Sequence, residues 1–396
     1  MKILQFCYKP PLPASDGGAL GMHSLTLGLL NNGNQVKVIA FNSYKHPCNK
    51  ELLPKSYVEA TGFETIFVDL KLHIIDALVC LLKNESYHVK RFVNENMEQR
   101  LISLLKEETF DVVQLESILL APYIPIIRKY SKAKLILRAP NIEHIVWFRL
   151  AKNTKNPFKK LYLLQLAHSL KKFELRNINF FDGVFPVTQI DADFFIENGC
   201  KCFCKGVAVG MEMPDFIEQD NVEENTLFHI GSMDWLPNQQ GIKFFIDNIW
   251  DSLHQKLPFV KAYFAGRAMP LWMINLNKEG IVICGEVPDS TAFICSKEIM
   301  IVPLLSGSGI RIKILEAMSL GKCVIATSLA VEGIMCEDEK NVLIANTKEE
   351  FIDRIIRCVK DRQFSKMIGQ NAENLIKEKY NINAIAKQLT DLYIKL

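Results

Sequence analysis

The chain of 396 residues has no apolar run long enough to cross a bilayer. Its longest near the start of a helical pattern, 74–82, contains Asp76 and falls far short of the ~20 residues that a spanning helix needs. Dense runs of one charge are also missing. Lys and Arg number 47 against 44 Asp and Glu, a formal net charge of +3, and no basic cluster is tight enough to neutralise many phosphates, which excludes a general nucleic-acid binder. There is no internal repeat or low-complexity tract. The opening residues, Met1 to Cys7, enter a strand pattern without an apolar leader core or a small-residue cleavage site, so the expectation is a cytoplasmic chain. Eleven cysteines, an odd number scattered along such a chain, read as reduced thiols and not as a disulfide framework.

What is present is a globular composition, 49% apolar and 23% charged, on a length that suits two domains of roughly 150 to 200 residues. Short runs rich in Ile, Val and Phe alternate with longer amphipathic stretches, the pattern of parallel sheets joined by crossover helices. Strands are expected at 2–8, 36–41, 65–70, 112–115, 135–138 and 183–187, and again at 227–231, 260–266, 281–285, 299–303, 323–327 and 342–345. Each set supports one doubly wound sheet. The expected division is a first domain over 1–200, a linker over 201–224 with Pro214 and five acidic residues from Asp215 to Glu224, a second domain over 225–380, and a final helix over 381–396 packing back on the first domain.

The most informative stretch runs from Pro303 to Gly321. An apolar strand leads through a glycine-rich turn, Gly307-Ser308-Gly309-Ile310, into a helical pattern carrying Arg311, Lys313 and Glu316. Glycines permit close backbone approach, a helix N-terminus offers unpaired N–H groups, and the cations can neutralise an anion, together a means of holding a nucleoside diphosphate. Glu316 lies about one and a half turns into the helix, within reach of a ribose hydroxyl. Gly266-Arg267 ends another strand, and the planar guanidinium of Arg267 suits paired phosphate oxygens. The run Phe228 to Asn238, Phe-His-Ile-Gly-Ser-Met-Asp-Trp-Leu-Pro-Asn, places Gly231 and Ser232 at a strand end; Asp234 and Asn238 can instead be helix caps, with Trp235 as packing. In the first half, the loop from Lys9 to Gly18 sits between a strand and a helix, so Gly17 and Gly18 either face a ligand or simply make the turn.

These motifs resemble retaining glycosyltransferases of the GT-B fold, the group 1 or family 4 set. The Glu-x7-Glu signature of that family ends at Glu316, followed by Ala317, Met318 and Gly321, although its first position is Ser308 here. Phe228 to Asn238 resembles the Gly-Ser-Met-x-Trp-x-Pro-Asn pattern of a bacterial surface-polysaccharide subgroup. The resemblance implies two Rossmann-like domains facing a central cleft. The donor is then a nucleotide sugar of UDP or GDP type, with no resident cofactor or metal, and the acceptor a glycan or lipid-linked chain. Transfer would be of a hexose or related sugar. Arg267 and Lys313 would stabilise the leaving diphosphate, Glu316 bind the ribose, and Val287, in the turn Gly285 to Asp289, pack near the base. On the acceptor side Gln114 and Pro140 stand where related chains carry His, which makes His144, with Asn141, Glu143 and Glu116, the nearest polar substitute.

Weaker signals have plain accounts. Asp191-Ala192-Asp193 has the form of a divalent-cation motif but opens a helical run, where Asp is ordinary. Cys200, Cys202 and Cys204 would share one strand face yet lack a fourth ligand for zinc. The lysines between Lys152 and Lys172 around Leu161–Leu166 fit a solvated helix face, or a peripheral contact with the anionic inner membrane. Two further activities stay open: a sugar-nucleotide epimerase of the same plan, and a catalytically inactive donor-binding scaffold.

Overall fold

The computed structural model describes every residue except Ser15, Leu72, Asn84, Asn153, Lys155, 214–221 and Ser308. Pro214, the acidic residues from Asp215 to Asp220, Lys155 and Ser308 therefore lie outside the described residues. The chain forms two compact units, one built from Met1–Gly210, residues 309–310 and Ile382–Leu396, the other from Met211–Gly307 and Arg311–Asn381. Each by itself is a Rossmann-like α/β unit, the kind of which the GT-B fold class has two.

Among the described residues of the first unit seven parallel strands, β1 (Lys2–Cys7), β2 (Gln35–Asn42), β3 (Glu64–Phe67), β4 (Val112–Leu115), β5 (Lys134–Ala139), β6 (Gly183–Pro186) and β7 (Phe203–Cys204), lie in the order β3-β2-β1-β4-β5-β6-β7. β4 is buried along its whole length, as expected of a sheet with helices on both faces. The two-residue β7 falls inside the stretch that the sequence suggests as linker. Two residues are too few to show a strand period, so only pairing with β6 identifies it.

Inside this apolar core lies a polar network. Gln5 and Gln114 are register partners on β1 and β4, and both donate side-chain N–H to Glu116 Oε1, at 2.7 and 2.5 Å. Thr26 donates to Gln5 Oε1 at 2.6 Å, and the Tyr393 hydroxyl donates to Gln114 Oε1. Burial holds the Glu116 carboxyl above the usual carboxylate range, against the pull of Gln5 and Arg138. Tyr393 comes from the helix Ile382–Lys395, so the network ties the end of the chain to the middle of the first sheet. The same helix crosses Gly17–Asn31 so closely that a Cβ on Gly28 would sit 2.7 Å from the Ile382 carbonyl oxygen and 2.9 Å from Ala386 Cβ.

Among its described residues the second unit has six parallel strands, β8 (Thr226–Ile230), β9 (Lys261–Ala265), β10 (Ile281–Gly285), β11 (Ile299–Val302), β12 (Cys323–Ala326) and β13 (Leu343–Ile344), in the order β10-β9-β8-β11-β12-β13. The order reverses between β8 and β11, and ligands of doubly wound sheets bind beyond the carboxyl ends of the strands at such a point. Glu223 belongs to this unit and not to a free linker: it accepts from Lys297 Nζ at 2.7 Å and from the Tyr263 hydroxyl at 2.6 Å.

Gly28→Leu would force the two helices apart. We expect a loss of about 1–3 kcal/mol, read as a lower urea midpoint for the first unit's unfolding, with helix content in water unchanged.

Candidate functional site

At the carboxyl edge of the second sheet three neighbouring strands end in glycine. Gly231 N–H donates to the Ala265 carbonyl at 3.1 Å, and Gly266 N–H to the Gly285 carbonyl at 2.7 Å. Gly266 has φ 144°, and a Cβ there would fall 1.8 Å from the Gly231 carbonyl oxygen. No side chain fits, so this edge is bare backbone.

Two cations rise beside it. Lys313, in the first turn of the helix Ile312–Ser319, places Nζ 2.9 Å from His229 Nε2 and donates to Asn238 Oδ1 at 2.7 Å. Arg267 donates from Nε to Ser232 Oγ at 2.9 Å. Asn238 Nδ2 donates to the Ser232 carbonyl at 2.7 Å, so one chain of bonds, Arg267–Ser232–Asn238–Lys313–His229, joins both cations. Burial and the nearby Arg311 guanidinium hold the Lys313 ammonium well below its usual range. Burial and Lys313 do the same to the His229 imidazole. An ammonium so disfavoured gains from an arriving anion.

Several assignments acquire a different physical reason. Asp234 and Asn238 do not cap the helix Leu236–Phe244, whose N-terminus has no side-chain cap bond; they brace the Gly231–Ser232 turn, where Ser232 Oγ lies 2.5 Å from Asp234 Oδ1. Gly307, at φ 120°, is glycine because a Cβ would meet the Trp235 ring at 2.9 Å. Arg311 is buried, with its guanidinium 5.8 Å from the centre of the Trp235 ring, so of the two cations in that segment Lys313 is the one set at the glycine edge. Gly309 has φ 76°, the left-handed region that favours glycine, and Ile310 beside it is half-buried. Glu316 accepts from Ser290 Oγ at 3.2 Å, and burial with the nearby Asp289 raises its carboxyl above the ordinary value. Val287 is half-buried in the turn after β10.

In the first unit Asp16 caps the helix that Gly17 and Gly18 open, accepting from Ala19 N at 3.0 Å and from Lys9 Nζ at 2.5 Å. A Cβ on Gly18 would lie 2.9 Å from both Lys9 Nζ and the Tyr8 hydroxyl. His144 is only 2% exposed. Its Nδ1 is 2.5 Å from Oε2 of the buried Glu174, which clasps the helix Glu143–Lys152 to Pro157–Asn177. This placement makes His144 a packing partner and not a side chain presented to an acceptor. Gln114 and Glu116 likewise belong to the buried network. The partners Glu174 and His229 carry no local sequence signal, since each meets its contact across 30 or more residues. Asp191 sits in the first turn of Gln189–Glu197, its N–H bonded to Thr188 Oγ1 at 2.9 Å. Cys200 Sγ lies 3.4 Å from Cys202 Sγ, but among the described residues no group of three or more His, Cys, Asp or Glu is arranged to hold a metal ion.

Residues 224–361 match the family described as "Glycosyl transferases group 1". Across 399 aligned residues, covering 96% of each chain, the sequence is 25% identical to an uncharacterized 44.6 kDa protein in the cps region of Klebsiella pneumoniae. Over 126 residues, 31% of this chain and 32% of the other, it is 26% identical to the uncharacterized glycosyltransferase MJ1069 of Methanocaldococcus jannaschii. Among solved structures, Anabaena Alr3699/HepE in complex with UDP-glucose is similar over the full length of both chains, with a TM-score of 0.67 and 14% identity. These findings support a glycosyltransferase.

Glu143, beside the Glu174 carboxylate, provides a pH test. Burial and then Glu174 push its pKa from 4.5 up to about 8. The unfolded chain gives up this proton near 4.5 and the folded chain near 8, so this group's contribution to stability is full below about pH 4.5 and is lost as pH rises toward 8. Glu143→Gln should flatten that decline, melting like wild type at pH 4.5 and higher than wild type at pH 8.

Proposed function

We propose that this protein is a retaining glycosyltransferase that binds a nucleotide sugar of UDP or GDP type at the glycine edge of the second sheet. The sugar, a hexose or related ring, passes to a glycan or lipid-linked acceptor in surface-polysaccharide synthesis. The observation that carries the reading is the bonded chain from Arg267 to Lys313, which fixes two cations beside bare backbone. The cps-region relative supports the polysaccharide role, and the UDP-glucose complex of a protein of the same fold supports the donor class.

As the bond between the anomeric carbon and the diphosphate breaks, negative charge grows on the leaving oxygens. Arg267 and Lys313 stabilise it more in the transition state than in the bound donor, which is what accelerates the step. Gly231, Ser232 and Gly307 line the phosphates and sugar, Glu316 with Ser290 receives the ribose, and Val287 lies against the base. The acceptor hydroxyl attacks from the face the phosphate leaves and gives its proton to that phosphate, so the configuration is kept. The fixed cations take the part that a divalent metal plays elsewhere, and transfer proceeds without one. Acceptors on lipid would be met at a membrane surface: Phe158 and Leu161 are 85% and 69% exposed beside the exposed Lys159 and Lys160, a composition suited to anionic headgroups.

A thermal-shift screen of nucleotide sugars identifies the donor, because a ligand that binds only the folded state raises its melting point. Lys313→Ala and Arg267→Ala should each lower transfer by at least about 100-fold, the scale of losing one charge-stabilising group, and weaken UDP binding. Activity should persist in EDTA and in Asp191→Ala, and product NMR should show the donor's anomeric configuration. Conversion of donor with no acceptor present would identify an epimerase instead, and UDP binding without turnover on cell-derived acceptors a scaffold. For the membrane contact, Phe158→Ser with Leu161→Ser should reduce co-sedimentation with phosphatidylglycerol vesicles.

A further inference from the structure

We infer that His229 is a positioning residue for the donor phosphates, acting through Lys313; the inference rests on Lys313 being a phosphate ligand, as proposed above. His229 lies on β8 two residues before Gly231, with its ring wholly inside the protein. Its Nδ1 is 2.8 Å from the Ile301 carbonyl oxygen on β11. A carbonyl has no hydrogen to give, so Nδ1 carries the proton and donates it, which leaves Nε2 of the neutral ring with only a lone pair. That lone pair faces Lys313 Nζ at 2.9 Å. A charged ring would set N–H against N–H there, and burial together with Lys313 keeps the imidazole neutral.

The tautomer is thus fixed by a backbone carbonyl across the switch point of the sheet, and the ammonium is aimed by the tautomer. Asn238 supplies a second acceptor, itself oriented by its bond to the Ser232 carbonyl. An ammonium has three N–H bonds; two are taken, and Lys313 has no third partner among the described residues. One side of it is left open by Gly231, where a Cβ would lie 3.2 Å from Nζ. The choice of imidazole has an electrostatic logic. An Asp or Glu in this position would hold the ammonium equally well but would cancel its charge and compete with a phosphate for it. A neutral ring orients the cation and leaves its charge to the ligand. Lysine is otherwise a point charge on a flexible stem, and His229 with Asn238 supplies the fixed direction that the stem lacks.

The test measures UDP binding by titration calorimetry on the full chain, with melting points as a control on folding. His229→Leu and His229→Phe both fill the site without an acceptor, and either serves if the other does not fold. Each should raise the Kd for UDP about tenfold, whereas His229→Gln, whose amide oxygen can accept from Nζ, should stay within about threefold of wild type. In a Lys313→Ala background the His229 substitutions should add nothing, since the group they aim is gone. Wild-type affinity in both His229→Leu and His229→Phe would overturn the inference, as would an undiminished tenfold loss in the Lys313→Ala background. Unchanged UDP binding by Lys313→Ala alone would overturn the phosphate reading of that lysine first.

Discussion

The second unit is organised around one constraint: the half-buried Lys313 ammonium is aimed by neutral polar groups. Burial works against the Lys313 cation, and a compensating carboxylate would silence it. The structure answers with dipoles. An imidazole nitrogen and an amide oxygen hold Nζ, each anchored in turn to a backbone carbonyl, so among the described residues the groups bonded to the cation are polar and carry no opposing charge. The same chain reaches Arg267 through Ser232. Preorganised dipoles of this sort need not rearrange when charge develops on a ligand, which is where electrostatic stabilisation is most effective.

The glycines take their meaning from this arrangement. Gly266 is required by the Gly231 carbonyl, Gly231 clears space for the ammonium, and Gly307 accommodates the Trp235 ring. Three glycines that look alike as flexible turn residues therefore do three jobs: stacking strand ends, clearing a cation and seating an indole. Arg311 lies against the same indole, with its guanidinium over the Trp235 ring.

Much of the fold is legible in the sequence because burial on both faces writes parallel strands as short apolar runs. β11 and its following glycine turn and helix are the clearest instance, and the cations Arg267 and Lys313 stand out by their place at strand and helix ends. β7 leaves no period in two residues. His229 reads as one more residue of a strand, and Glu174 as one more charge on a long helix; their roles depend on partners far along the chain. The Gln5, Gln114 and Glu116 cluster is equally silent, since polar residues at isolated strand positions acquire a reason only when the register sets Gln5 opposite Gln114.

The contact of the helix Ile382–Lys395 with Gly17–Asn31, sealed by Tyr393 at the polar network, bears on the order of assembly during synthesis. Every residue of the second unit is translated before that helix emerges, whereas the first unit lacks the cover for Leu29, Val36 and Val38 until it does. Domains generally fold as units while the chain is being made. The half of the molecule that leaves the ribosome first is thus the half completed last, and it waits with an exposed apolar flank while its neighbour matures.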